Sequence, residues 1–133
     1  MRELGAVREW QHSAEFPDHP SSVSGARAFV TFHLGGHDLD RLVEDLRLVV
    51  SELATNALLH GQTGFLVVLL AVDESVRLEV HDGSQSIPIE VAARTLDVGG
   101  RGIAIVSSLS RDWGVTTQQS GGKAVWAEFD QAG

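Results

Sequence analysis

The chain has 133 residues, 43% of them apolar, which suits one domain with a single core and leaves too little for two. A formal charge of −8, with Lys123 as the sole lysine, argues against the clustered basic surface that a nucleic-acid partner requires. Without cysteine there is no disulfide framework, thiolate nucleophile or cysteine metal site, which fits a reducing compartment, and cytoplasm is the expected location.

The opening residues RELGAVREWQHSAEF lack the apolar core of a signal peptide, and the best apolar run, FLVVLLAV, has eight residues against the roughly 18 that span a bilayer. No membrane partner is expected. Residues 1–15 have weak periodicity and read as loosely structured, with Trp10 and Phe16 as anchors; the alternation in HSAEF allows a short strand before the turn residues PDHPSS. Val23, Ala26, Phe29, Val30 and His33 have the spacing of a helix over 22–34 that stops at Gly35 and Gly36. Asp38 is positioned to cap a second helix over 38–60, where Leu39, Leu42, Val43, Leu46, Val49, Val50, Leu53 and Ala57 recur at three- and four-residue intervals up to Gly61.

FLVVLLAV and SVRLEVHD, joined by Asp73 and Glu74, read as an antiparallel hairpin. Residues 83–99, GSQSIPIEVAARTLDVG, form a long connection of the kind that often serves as a binding loop or lid. GGRGIAIVSSLSRDWG predicts a glycine-rich turn and a helix over 102–110, and WGVTTQQ with KAVWAEF predicts two strands around the turn SGG. The expected architecture is α/β in the α+β sense: a two-layer sandwich with a mixed, mostly antiparallel sheet, helices on one face, and the other face partly exposed.

Three segments carry polar residues that packing does not require. In SELATNALLHG, Glu52, Asn56 and His60 stand four apart on a line that borders the apolar stripe. A carboxylate there can accept a proton and an amide oxygen can ligate Mg²⁺, although a solvated helix face would also place polar residues so. Asn is a poor choice for a helix interior, which hints at a use. Asp82, in VHDG at a strand end, can accept a hydrogen bond from an exocyclic amino group or simply open a turn. Gly99, Gly100 and Gly102 precede a helix, where backbone N–H groups can hold phosphate oxygens. The glycines do not fit a dinucleotide fingerprint, and no P-loop occurs in the chain.

In this order and spacing, the three segments resemble the N, G1 and G2 boxes of the Bergerat-fold ATPases and kinases, the GHKL superfamily of gyrase and the histidine kinases. SELATNALLHG, VHDGSQSIP, GGRGIAIVSSLSRDWGV and GGKAVWAEF are most similar to the small anti-sigma factor serine/threonine kinases and related ATP-binding regulators, over roughly residues 16–130. The resemblance implies ATP and Mg²⁺ as cofactors. It implies Glu52 as general base on the attacking hydroxyl, Asn56 as Mg²⁺ ligand, and Asp82 with Gly83 at the adenine. Gly100, Arg101, Gly102 and Ile103 would lie at the phosphates, His60 near them, Lys123 at the last turn before the final strand, and 83–99 would be the ATP lid. His60 at a helix end is equally suited to meeting the helix dipole.

Two departures stand out. Aligned on Asp82, the two glycines of the superfamily's D-x-G-x-G pattern become Ser84 and Ser86, and Ala124 stands where relatives often have Thr. The implied partners are a STAS-type anti-sigma-factor antagonist as phosphorylation substrate, a sigma factor, and a second copy in a homodimer, for which Trp10, Phe16, Phe29 and Phe32 are either interface or core residues. The alternatives are an ATP-binding module that sequesters a partner without turnover, favoured by the serines, and a detached histidine-kinase catalytic domain, disfavoured because no dimerisation helix with a phospho-accepting His precedes it.

Overall fold

The computed structural model describes residues 9–61, 63–83, 102–117 and 121–131. Five strands, β1 (Trp10–Phe16), β2 (Phe65–Val72), β3 (Ser75–Asp82), β4 (Asp112–Thr117) and β5 (Lys123–Asp130), form one sheet in the order β1-β2-β3-β5-β4. All four pairings are antiparallel. Three helices, α1 (Ser21–Gly36), α2 (Val43–Asn56) and α3 (Gly102–Leu109), pack with the sheet, so the molecule is an α+β two-layer fold.

The alternation of each strand sorts its residues between two faces. Phe65, Val67, Leu69 and Ala71 of β2, Val76, Leu78 and Val80 of β3, and Val125, Ala127 and Phe129 of β5 are buried under the helices. They meet Ala26, Val30 and Leu34 of α1, Leu46, Val49, Val50 and Leu53 of α2, and Val106 of α3 in one core. Arg77, Glu79 and Trp126 point to the other face and are half-buried. Among the described residues no helix is long and apolar enough to cross a membrane.

The hairpin β2–β3 turns on Asp73 and Glu74, with Asp73 at φ 56°, the left-handed backbone that tight hairpin turns use. β1 is longer than HSAEF: it begins at Trp10, where the indole stacks on His37 at 3.9 Å, and it pairs along the whole of its length with β2. His12 of β1 stacks on His33 of α1 at 3.9 Å, and its Nε2 lies 2.9 Å from Nε2 of His37. Burial, then the neighbouring His12 and His37, lower the pKa of His33 from its ordinary value. Trp10, Phe16 and Phe29 pack against the core, whereas Phe32 is 74% exposed.

Two features of the helical layer differ from expectation. Asp38 does not cap the second helix; it closes the first. It adopts φ 61°, and its N–H bonds the Gly35 carbonyl at 3.2 Å while the N–H of Leu39 bonds the Leu34 carbonyl at 2.8 Å. These are the two bonds of a Schellman motif, with Leu34 and Leu39, both buried, in the accompanying apolar contact. Asp tolerates the left-handed position better than most residues, so a non-glycine can serve there.

The second helix is also not uniform over 38–60. It consists of a 3₁₀ turn over Asp40–Leu42, the α-helix Val43–Asn56, and a π-helical segment over Ala57–Gly61. The π segment departs from the α-helical period that a four-residue spacing to His60 assumes. Residues 84–101, which include all of the expected lid except Gly83, lie outside the described residues.

Candidate functional site

The site assembles where the C-terminal end of α2 meets the end of β3. α2 has Glu44 and Asp45 in its first turn, which suit the positive end of the helix dipole, and Leu46, Val49, Val50, Leu53 and Ala54 buried along one side. Glu52 and Asn56 flank that buried stripe and are half-buried themselves. The Asn56 amide nitrogen donates to the Glu52 backbone carbonyl at 2.9 Å. Since a carbonyl can only accept, this bond fixes which end of the amide is nitrogen and turns Oδ1 away from the helix backbone. Among the described residues that oxygen has no hydrogen-bond partner.

The π segment that follows Asn56 packs against β3, where inward and outward residues alternate. Asp82 pairs in register with Phe65 on one side and Lys123 on the other, and it shares the face of buried Phe65. Its carboxylate therefore faces the helical layer. Asp82 and Lys123 are cross-strand neighbours, and Lys123 Nζ donates to Asp82 Oδ2 at 2.7 Å with side-chain exposures of only 8% and 3%. Each charge compensates the other in a place where either alone would be costly.

The backbone around this pair is tightly built. Gly122 has φ 87°, and a Cβ there would lie 2.5 Å from the Asp82 carbonyl oxygen, so the turn before β5 admits only glycine against the end of β3. On the other side, the Thr63 hydroxyl accepts from the Gly83 N–H at 3.2 Å and donates to the Gly64 carbonyl at 3.0 Å. Thr63 thus ties the residue after Asp82 to the segment that leaves the π turn. Nothing in the sequence singled out Thr63, and the turn SGG marked Gly122 only as a turn residue: their contacts with Gly83 and Asp82 reach across 20 and 40 positions.

α3, whose first residue is Gly102, packs beside α2 and sends Val106 into the core. The structure thus brings Glu52, Asn56, Asp82, Gly83 and Lys123 to the region where α2, its π extension and the ends of β3 and β5 come together. Gly102 and Ile103 begin the adjacent helix. His60 lies within the π segment, with its side chain outside the description; Gly100 and Arg101 fall among the residues not described, as do Ser84 and Ser86. Clefts among the described residues include one against Arg27, Val43, Arg47 and Leu48, one at the β2–β3 turn, and one against Phe16, Gly64, Phe65 and His81.

A family model described as a histidine kinase-like ATPase domain matches residues 16–129. The chain belongs to this family. The match runs from the end of β1 to Phe129 of β5 and includes every element of the site. No curated protein matches the chain. Membership supports an ATP-binding, kinase-like module built on the observed α+β fold.

The donor set also suits such a ligand. Among the described residues no group of three or more His, Cys, Asp or Glu side chains is arranged to hold a metal ion. Mg²⁺ does not need one, because it is commonly bound by one or two protein oxygens together with substrate phosphates and water. The outward-turned Oδ1 of Asn56 is a hard oxygen of the required type. Asp82 offers an acceptor for an amino group, and its burial next to Lys123 keeps the carboxylate in a protein rather than solvent environment.

Proposed function

We propose that the protein is an ATP-dependent serine/threonine kinase of the anti-sigma factor type, which binds a sigma factor and phosphorylates a STAS-type antagonist. The observation that carries the reading is the meeting of two chemistries at one end of the sheet: the Asp82 acceptor facing the helical layer, and Glu52 and Asn56 on the helix packed against that strand. Family membership supports the ATP-binding half of it.

In this reading Asp82 accepts from the adenine amino group, with Gly83 beside it, and Asn56 Oδ1 is the protein ligand of Mg²⁺. Bound Mg²⁺ would neutralise charge on the phosphates. Glu52, one turn before Asn56, takes the proton from the acceptor hydroxyl of the partner. Gly100, Arg101, Gly102 and Ile103 contact the phosphates, and His60 lies near them. Phosphoryl transfer asks mainly for positioning and charge neutralisation, which such a sparse set of side chains can supply. The protein acts in the cytoplasm, as a homodimer, without nucleic acid.

The test is transfer of labelled γ-phosphate from ATP to a STAS-type protein from the same genome. The expected result is serine or threonine phosphorylation that drops by at least about a hundredfold in Glu52→Gln, the order of effect expected for loss of a general base. ATP-dependent capture of a sigma factor with no labelled product would instead favour a sequestering module without turnover, the reading suggested by Ser84 and Ser86.

A further inference from the structure

Lys123 has a chemistry that the pairing with Asp82 does not exhaust. An ammonium group has three N–H donors and no acceptor. One donates to Asp82 Oδ2 at 2.7 Å; among the described residues the other two have no partner, although the side chain is only 8% exposed. Buried donors left without acceptors are costly and uncommon, so a group this enclosed is expected to find an acceptor when the site is filled. The cross-strand register and the Gly122 turn hold the ammonium next to the carboxylate on the helix-facing side of the sheet.

We propose that Lys123 is a base-reading residue: it donates to the ring nitrogen N1 of adenine while Asp82 accepts from the neighbouring 6-amino group. The inference rests on the assignment of this site to ATP and extends it from one recognition group to two. An acceptor and a donor in direct contact match the edge of adenine, where a donor amino group and an acceptor nitrogen are adjacent. A carboxylate alone would satisfy the amino group and leave N1 unread. Lys123 also keeps Asp82 paired with a charge, so both recognition atoms are held by the same ion pair before a nucleotide arrives.

The test compares the wild-type protein with Lys123→Met, Lys123→Arg and the double variant Asp82→Asn/Lys123→Met, each titrated with ATP and with 1-deaza-ATP, in which N1 is replaced by C–H. The wild type is expected to prefer ATP by about tenfold or more, as for loss of a hydrogen bond from a charged donor. That preference is expected to fall to near unity in Lys123→Met and to be partly restored in Lys123→Arg. The double variant removes both buried charges together, so it tests the same loss of preference should Lys123→Met fail to fold. Equal binding of the two nucleotides by the wild type, or an unchanged preference in the folded Met variants, would overturn the proposal and leave the ATP site intact. Failure of the wild type to bind either nucleotide would overturn the assignment of the site to ATP, and this inference with it.

Discussion

β3 carries charged side chains on both faces, and the two sets differ in how fully they are satisfied. On the open face, Arg77 donates to Glu79 at 2.7 Å and to Glu128 at 2.9 Å, and its guanidinium lies 4.2 Å from the centre of the Trp126 ring. Glu79 is also held by His81 at 2.8 Å, and Arg111 continues the network to Glu128, Asp130 and Ser75. On the helix face, Asp82 and Lys123 form an enclosed pair in which the lysine retains two unused donors among the described residues. The open-face network, half-exposed and multiply bonded, is suited to holding strands in register. The buried pair leaves two lysine donors without a partner among the described residues, and its aspartate lies on β3, the strand against which α2 and its π extension pack.

The largest expected break in this comparison is Asp82→Ala. Removing one member of a buried pair leaves Lys123 as an uncompensated charge, and the loss of stability is expected to be about 3–5 kcal/mol in a denaturant titration. ATP binding should disappear with it, whereas Asp82→Asn/Lys123→Met should recover most of the stability. Gly122→Ala comes next: positive φ and the approach to the Asp82 carbonyl oxygen both oppose a side chain, with an expected cost of about 1–3 kcal/mol. Arg77→Met on the open face should cost only about 1 kcal/mol or less, and the cost should shrink at high salt, because its partners remain solvated. An Arg77→Met effect equal to that of Asp82→Ala would erase the distinction between the faces.

Smaller still are two acid-side effects. The folded state holds His33 below its ordinary pKa of 6.5, first by burial and then through His12 and His37, so the unfolded chain binds the proton more readily. The contribution is fully present above pH 6.5 and is lost as pH falls through the folded-state value; melting temperatures measured below pH 6.5 should decline less steeply in His33→Phe. Glu79 is held below its ordinary value of 4.5, first by the hydrogen bond with His81 and then, against partial burial, by Arg77. Its stabilisation is therefore present above pH 4.5 and is lost below it, and Glu79→Gln should flatten that lower part of the profile.

The sheet and helices were largely legible because their signals are local. FLVVLLAV is a continuous apolar run and SVRLEVHD alternates; they flank a two-residue turn, and their ends coincide with β2 and β3. The apolar repeat through Leu46, Val50 and Leu53 marks α2 in the same way. What escaped detection depends on contacts distant in sequence or on backbone geometry that residue type alone leaves open. Asp38 is as good an N-cap residue by composition as it is a Schellman residue in fact, and only the bonds from Leu39 and Asp38 back to α1 decide between them. The π turn after Asn56 has no residue signature, so spacing alone does not reveal it. Glu52, Asn56 and Asp82 stand out by motif order, whereas the Lys123–Asp82 ion pair and the Thr63–Gly83 bond arise from strand register and chain reversal.

The most direct test of the account is calorimetric titration of the wild-type protein with ATP, with and without Mg²⁺, alongside Asn56→Ala. The account predicts binding that Mg²⁺ strengthens in the wild type, and loss of that Mg²⁺-dependent gain in Asn56→Ala. Absence of binding by the wild type at millimolar ATP, or an unchanged Mg²⁺ response in the variant, would contradict it.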